Sequence, residues 1–231
     1  MPSPDRRILV TYSIVPSFEL WQKIQPELVS HLPLQNLQWH PANRSIRNID
    51  SLHLDLRNIG ALSDDLDKST TDILQRPYLH LLFVSCEDSD VYRSQIRHHI
   101  RSWLDDVKSK RSIHEWLIIQ VTSVRLGPSK FYQRKSTVLD KIKADFNSSK
   151  KDRCLQLLLT GEPNDIPNWL ELLTKIKDAI VTVFDQNITT YEEDLKRIDS
   201  QRTMPGWNFC TFFIQKVCLC QTKHLYRLID M

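Results

Sequence analysis

Glycine is scarce in this sequence, with four residues in 231 against a usual share of roughly 7%. Phosphate-binding loops need glycine because backbone N–H groups must approach the ligand closely. With glycine only at positions 60, 127, 161 and 206, neither a Walker loop nor a dinucleotide-binding fingerprint can be written. The scarcity argues against the common nucleotide-binding enzymes.

Long apolar runs are also missing. No stretch approaches the ~20 apolar residues that a membrane-spanning helix needs. The N-terminus is polar as far as Arg7, and the apolar run that follows is too short for the core of a signal peptide. We therefore expect a cytoplasmic protein with reduced cysteines. The composition, 41% hydrophobic and 26% charged, is typical of a globular protein with a full core.

The net charge is only +3, but it is unevenly distributed. Residues 93–153 contain fifteen Lys/Arg and six Asp/Glu, a local charge of +9, so the remainder has −6. Such a basic region suits an anionic membrane surface or an acidic protein, although ordinary solvated helix faces give the same pattern. Nucleic-acid binding would require a recognisable module. None is present, so we predict no nucleic-acid partner.

Apolar segments with strand character alternate with amphipathic helical segments along the first two thirds of the chain. The strand-like segments are residues 8–14, 37–40, 51–56, 78–86, 116–122 and 154–160. Alternation of this kind is typical of βαβ units. We predict an α/β fold: a doubly wound, mostly parallel sheet of about five strands, followed by a long helix and the start of an α-helical extension.

Residues 165–202 have apolar side chains at steps of three and four, which predicts one long helix or two helices joined near Asn187. A helix of this length, on the order of 55 Å, is too long to be only a covering for a sheet. We therefore divide the chain into an α/β domain, residues 1–164, and a long helix with an incomplete helical extension, residues 165–231.

The strongest metal candidate is a group of three cysteines and a histidine near the C-terminus: Cys210, Cys218, Cys220 and His224. Zinc sites favour paired thiolates two to four residues apart, and this spacing fits no standard pattern. No serine lies in a nucleophile elbow, and no cysteine has an obvious base partner in sequence. We predict no catalytic, cofactor-binding or metal site, and therefore no enzyme.

An aromatic cluster follows the long helix, directly after Pro205-Gly206. Its members are Trp207, Phe209, Phe212 and Phe213. Because a Pro-Gly pair ends one helix and an apolar segment begins another, we expect the three phenylalanines to pack only partly on the long helix. The four aromatic residues are therefore our candidates for binding a partner.

Six segments, taken together and in this order, resemble the N-terminal region of the large TRAPP II-specific subunits, which belong to a vesicle-tethering complex. The segments are Pro77-Tyr78-Leu79-His80-Leu81, Asp90-Val91-Tyr92-Arg93, Glu115-Trp116-Leu117-Ile118-Ile119, residues 136–146, Asp152-Arg153-Cys154, and Pro205-Gly206-Trp207-Asn208-Phe209-Cys210.

The resemblance implies a non-catalytic subunit of an exchange-factor complex for Rab-type GTPases, located peripherally at Golgi and trans-Golgi membranes. It implies other TRAPP subunits as partners and an α/β domain that leads into helical pairs. Family members are several times longer, so we expect this chain to be a fragment, a splice form or a truncated gene model. The alternative function is a small-molecule or nucleotide-binding α/β domain enzyme.

Overall fold

The computed structural model describes residues 7–40, 46–61, 77–110, 115–122, 137–147, 151–159 and 166–225. Within these ranges the chain has six β-strands: β1 (Arg7–Val15), β2 (Leu34–Trp39), β3 (Arg47–Asn58), β4 (Leu79–Ser85), β5 (Trp116–Thr122) and β6 (Cys154–Leu158). They form one sheet in the order β2-β3-β1-β4-β5-β6.

Five of these strands run parallel, and β2 is antiparallel at one edge. Within β2, Asn36 has φ 54°, and the pairing with β3 keeps the same register on both sides of it, with Gln35 opposite Ser51 and Leu37 opposite Ile49. The neighbours of β1 are β3 and β4, so the order reverses at β1, as in other open α/β sheets.

The helices are α1 (Glu19–Ser30), the short α2 (Ser89–Val91), α3 (Arg97–Lys110), α4 (Val138–Phe146), α5 (Ile166–Ser200) and α6 (Phe209–Leu225). A π-helical turn, Tyr92–Ile96, joins α2 to α3. None of the helices within the described ranges has both the length and the apolar content that crossing a membrane requires.

The sheet separates two hydrophobic cores. In β5, Leu117 and Ile119 face a core that includes residues of α1 and α5, whereas Trp116 and Ile118 face a second core that includes residues of α3 and α4. Successive strand residues point to opposite faces, which explains why every residue of β5 is buried. Helices on both faces confirm the predicted doubly wound α/β fold, with a sixth strand in addition to the five expected.

Helix α5 is continuous past Asn187, as one of the two alternatives predicted. Its first half packs on the sheet through buried residues that include Trp169, Ile176, Ile180 and Phe184. The Phe184 ring meets the Trp39 ring of β2 edge-on at 4.8 Å. The second half of α5 extends beyond these contacts and packs against α6. The division into residues 1–164 and 165–231 stays a prediction.

Candidate functional site

A tight turn connects α5 to α6. The Trp207 N–H donates a hydrogen bond to the Met204 carbonyl oxygen at 3.2 Å, and Gly206 has φ +88°. Proline followed by a residue with positive φ is typical of a type II turn, where glycine avoids strain. Asn208 Oδ1 then accepts a hydrogen bond from the Cys210 N–H at 2.7 Å, which caps the start of α6.

The four predicted aromatic residues come together at this turn. The Trp207 ring lies 6.2 Å from the Phe209 ring and 6.1 Å from the Phe212 ring, and the Phe209 and Phe213 rings stack at 6.2 Å. Trp207 Nε1 donates to the Ile198 carbonyl oxygen at 2.8 Å. The hydrogen bond fixes the indole at the end of α5, and the Phe209 and Phe212 rings lie next to this fixed indole.

Part of this cluster faces solvent. Phe209 is 60% exposed and Phe213 is 54% exposed, while Phe212 and Trp207 are half-buried. The expected partial packing of the three phenylalanines is confirmed. Their side chains line a groove of about 360 Å³ along α6, together with Lys216, Val217 and Cys220. The partner-binding role of these residues stays a prediction.

The opposite side of α6 packs on α5. Cys218, Leu219 and Thr222 are buried there, and Lys223 Nζ donates to Glu192 Oε1 at 3.0 Å. Since apolar residues occur on both sides, α6 has the character of a helix that is covered on more than one side. It is covered on one side by the described part of the chain.

The cysteines of the metal candidate do not converge. Cys218 is buried, whereas Cys210 and Cys220 are exposed, and all three are free thiols. The His224 side chain lies outside the described residues. Among the described side chains, no group of three or more His, Cys, Asp or Glu is placed to hold a metal ion.

A buried carboxylate organises the amino-terminal ends of β5 and β6. Glu115, whose side chain is 4% exposed, accepts a hydrogen bond from Lys151 Nζ at 2.8 Å and lies 3.3 Å from Arg153 Nη2. The Arg153 guanidinium also lies over the Trp116 ring at 5.2 Å. A carboxylate removed from water needs such partners, so this ion pair joins the starts of the two strands.

A second carboxylate, directly before Arg153 in the sequence, joins three elements. Asp152 accepts hydrogen bonds from Asn147 Nδ2 at 2.6 Å and from Lys143 Nζ at 3.1 Å, and Lys175 of α5 pairs with it at 3.1 Å. Burial raises the pKa of the Asp152 carboxyl, but the hydrogen bonds from Asn147, Lys143 and Lys175 outweigh burial and hold that pKa below its usual range. Asp152 therefore ties α4 and α5 to β6.

A third carboxylate, Asp145, connects α4 to α3 and to the π-helical turn before it. Tyr92 Oη donates to Asp145 Oδ2 at 2.7 Å, and Arg97 Nη2 pairs with Asp145 Oδ1 at 2.8 Å. Burial and the hydrogen bond to Asp145 raise the pKa of Tyr92. Four of the six segments named in the sequence analysis supply residues to these three clusters, which gives those segments a structural role.

Most of the described basic residues in 93–153 are engaged within the fold. Eight Lys or Arg side chains of this stretch are described, and five of them form ion pairs: Arg93, Arg97, Lys143, Lys151 and Arg153. Arg101 and Lys108 are exposed on α3. The basic surface is therefore smaller than the count of charges predicts, at least within the described residues.

A cavity of about 480 Å³ lies at the carboxyl-terminal ends of β4, β5 and β6, beside α1. Lys23 and Glu27 of α1 and Glu87 after β4 supply charges, and Val121 and Leu159 supply apolar surface. In open α/β sheets, ligands bind at this edge. Under the alternative function, a bound small molecule would occupy this cavity.

Comparisons with known proteins bear directly on the family. A family model described as "Trafficking protein particle complex subunit 10-like, N-terminal" matches residues 3–202. The chain belongs to this family. The match extends from before β1 to just after the end of α5, so α6 lies beyond it. The predicted resemblance is confirmed.

Several relatives with TRAPP names cover most of the chain. It is 29% identical to trafficking protein particle complex subunit 10 of Dictyostelium discoideum over 90% of its length, and 27% identical to the Homo sapiens protein of that name over 84%. The Saccharomyces cerevisiae trafficking protein particle complex II-specific subunit 130 is 23% identical over 82%. The chain spans about one sixth of the length of these relatives. No solved structure matched.

The carboxylate clusters are the feature that sequence reasoning missed. Glu115 and Arg153 are separated by 38 positions, and no spacing rule connects them. The available signal was weak: Glu115 directly precedes one mostly apolar strand, and Asp152-Arg153 directly precedes another. Charged residues at the starts of buried strands indicate ion pairs only when the order of the strands in the sheet is known.

Proposed function

We propose that this chain is a non-catalytic scaffold and interaction subunit of a TRAPP II-like tethering complex. The observation that supports this most strongly is the family match over residues 3–202. The proposed complex supports nucleotide exchange on a Rab-type GTPase in Golgi vesicle traffic. In it, the α/β fold acts as a rigid base, and the α5–α6 pair extends from this base towards other TRAPP subunits.

The contact residues in this proposal are the aromatic residues of α6 and of the turn before it: Trp207, Phe209, Phe212 and Phe213. Large aromatic side chains are enriched at the centres of protein interfaces. Exposed apolar groups that form one continuous groove are typical of interaction sites, whereas isolated exposed apolar residues are not. Support comes from the exposure of Phe209 and Phe213 and from the groove they line.

Affinity purification of the tagged full chain tests the proposal. We expect TRAPP core subunits to co-purify, and we expect fluorescence microscopy to place the chain peripherally at Golgi membranes. Nucleotide exchange on the Rab substrate should be slower with a complex that lacks the chain than with the complete complex. Failure of every TRAPP subunit to co-purify would contradict the scaffold role.

Contact with an anionic membrane surface is a further part of the proposal. It would involve α3, where Arg101 and Lys108 are exposed. Each Lys or Arg near an anionic surface contributes about 1 kcal/mol, and salt weakens the contact. Lipid vesicles in a salt series therefore provide the test.

The cavity at the carboxyl-terminal edge of the sheet favours a second candidate function, the binding of a small molecule or nucleotide by an α/β enzyme. Its position and its mixture of charged and apolar lining are typical of ligand sites. Titration calorimetry of the full chain with ATP and with GTP separates the two candidates. Saturable binding of either nucleotide would favour the enzyme, and absence of heat would favour the scaffold.

A further inference from the structure

The exposed side of α6 has an apolar stripe with one positive charge near its middle. Phe209, Phe213, Val217 and Cys220 follow one another at helical spacing, and Lys216 lines the same groove. The stripe extends over three helical turns, or about 16 Å. Helix α6 contains no Asp or Glu, so Lys216 has no carboxylate on its own helix.

The buried side of α6 shows the kind of surface with which this helix already packs. There α5 provides apolar contacts around Leu219 and a carboxylate, Glu192, that pairs with Lys223 at 3.0 Å. The two sides of α6 are therefore alike in chemistry: apolar residues with one lysine. A helix of similar character to the second half of α5 would match the exposed side.

We propose that the groove of α6 binds an amphipathic helix of another TRAPP subunit, with a carboxylate that pairs with Lys216. The bound helix presents apolar side chains at positions i, i+3 or i+4, and i+7, which is the usual way a helix occupies an apolar groove. This inference rests on the proposed scaffold function and specifies its partner.

The groove is held in place before binding. The Phe209 and Phe213 rings stack with an angle of 22° between their planes, and Trp207 is fixed by its hydrogen bond to the Ile198 carbonyl oxygen. Aromatic side chains that are already ordered lose little conformational entropy when a partner binds. The preformed groove thus favours a partner helix of definite shape.

The position of Lys216 disfavours a second copy of this chain as the occupant. In a two-fold symmetric pair the same surfaces face each other. Because Lys216 lies near the middle of the stripe, an antiparallel pair of α6 helices would bring the two Lys216 ammonium groups close together. Like charges at the centre of an interface oppose association.

The same side of α6 also lacks the usual features of a membrane-binding helix. Such helices have several Lys or Arg beside the apolar face. Among the described side chains of α6, Lys216 is the basic residue on the exposed side, since Lys223 is paired with Glu192. A protein helix with a single carboxylate fits this arrangement better than an anionic lipid surface does.

Photo-crosslinking in the assembled complex tests the identity of the occupant. The full chain would carry the photoreactive residue p-benzoylphenylalanine at position 213, where it retains an aromatic ring. We expect crosslinks to a helical segment of another TRAPP subunit that has Asp or Glu within one turn of the attachment point. Crosslinks to a second copy, to lipid, or to a segment without a nearby carboxylate would overturn the proposal.

Charge reversal tests the pairing with Lys216. We expect Lys216→Glu to weaken co-purification of the crosslinked subunit roughly tenfold, equivalent to about 1.4 kcal/mol, and reversal of the partner's carboxylate to Lys to restore it. Phe213→Ser should also weaken co-purification. Leu170→Ser is the matched control, since Leu170 is 61% exposed on α5 and lies outside the groove.

The outcomes separate this inference from the scaffold function. If the wild-type chain co-purifies with no TRAPP subunit, the scaffold function itself is wrong. If wild type and Lys216→Glu retain the crosslinked subunit equally, the scaffold function stands, and the proposed pairing between Lys216 and a carboxylate of the bound helix is wrong.

Discussion

Replacement of Glu115 by glutamine tests whether the buried ion pair at the starts of β5 and β6 stabilises the fold. Two unit charges 3.3 Å apart attract by roughly 5 kcal/mol at an effective dielectric constant of about 20. Desolvation of the carboxylate offsets much of this attraction. The Arg153 side chain is only 17% exposed, so Glu115→Gln leaves a largely buried guanidinium without its counter-ion. We expect a loss of about 2–3 kcal/mol in the free energy of unfolding.

A double-mutant cycle isolates the pair from the other partners of Glu115. The single variants are Glu115→Gln and Arg153→Met, in which methionine keeps apolar volume against the Trp116 ring. Urea unfolding at pH 7 gives the free energies, and we expect a coupling energy of about 1.5–3 kcal/mol. A coupling below about 0.5 kcal/mol, the value typical of an exposed ion pair, would refute the reasoning. The exposed pair of Asp194 and Arg197 is the control and should give that lower value.

Three further predictions follow from other contacts. Asp152→Asn should lower the urea midpoint at pH 7. The pKa of Asp152 in the folded state lies below its unfolded value of about 3.9, so the carboxylate stabilises the fold fully above about pH 3.9, and this stabilisation is lost as the pH falls through the folded pKa. The urea midpoints of wild type and variant should therefore converge in acid. Since its side chain is 47% exposed, we expect no more than about 1 kcal/mol, and a gap that persists in acid would contradict the assignment. Phe184→Ala should cost about 3–5 kcal/mol in urea unfolding, because the ring is buried between α5 and β2; a loss below about 1 kcal/mol would show that this contact is not part of the core. Reversal of Arg101 and Lys108 to Glu should weaken sedimentation with phosphatidylserine vesicles about tenfold or more at low salt, and equal binding by the variant and wild type would exclude α3 as the membrane contact.

Local patterns in the sequence were sufficient to predict the order of secondary-structure elements. Near-continuous apolar runs predicted β4, β5 and β6, because a strand covered on both faces has no solvent-exposed side. Apolar residues at steps of three and four predicted α5, and Pro205-Gly206 predicted its end. Each of these signals comes from neighbouring residues, so no knowledge of tertiary contacts was needed.

The aromatic site was predicted in composition but not in orientation. The sequence placed Trp207 and the three phenylalanines after a helix break, where they fall within one or two turns of each other. Which rings face solvent depends on how α6 rotates against α5, and that rotation depends on contacts such as the one between Lys223 and Glu192. Helix α6 is apolar on several sides, so its sequence alone does not identify the buried one.

The sequence by itself determined an α/β fold followed by a long helix, an aromatic turn and the start of a helical extension, because hydrophobic periodicity and helix-breaking residues act over a few positions. The tertiary structure alone decided that β2 is antiparallel at the edge, that the first half of α5 belongs to the core, and that Glu115 meets Arg153. These contacts join residues far apart in the chain, and they exist only once strand order and helix rotation bring the residues together.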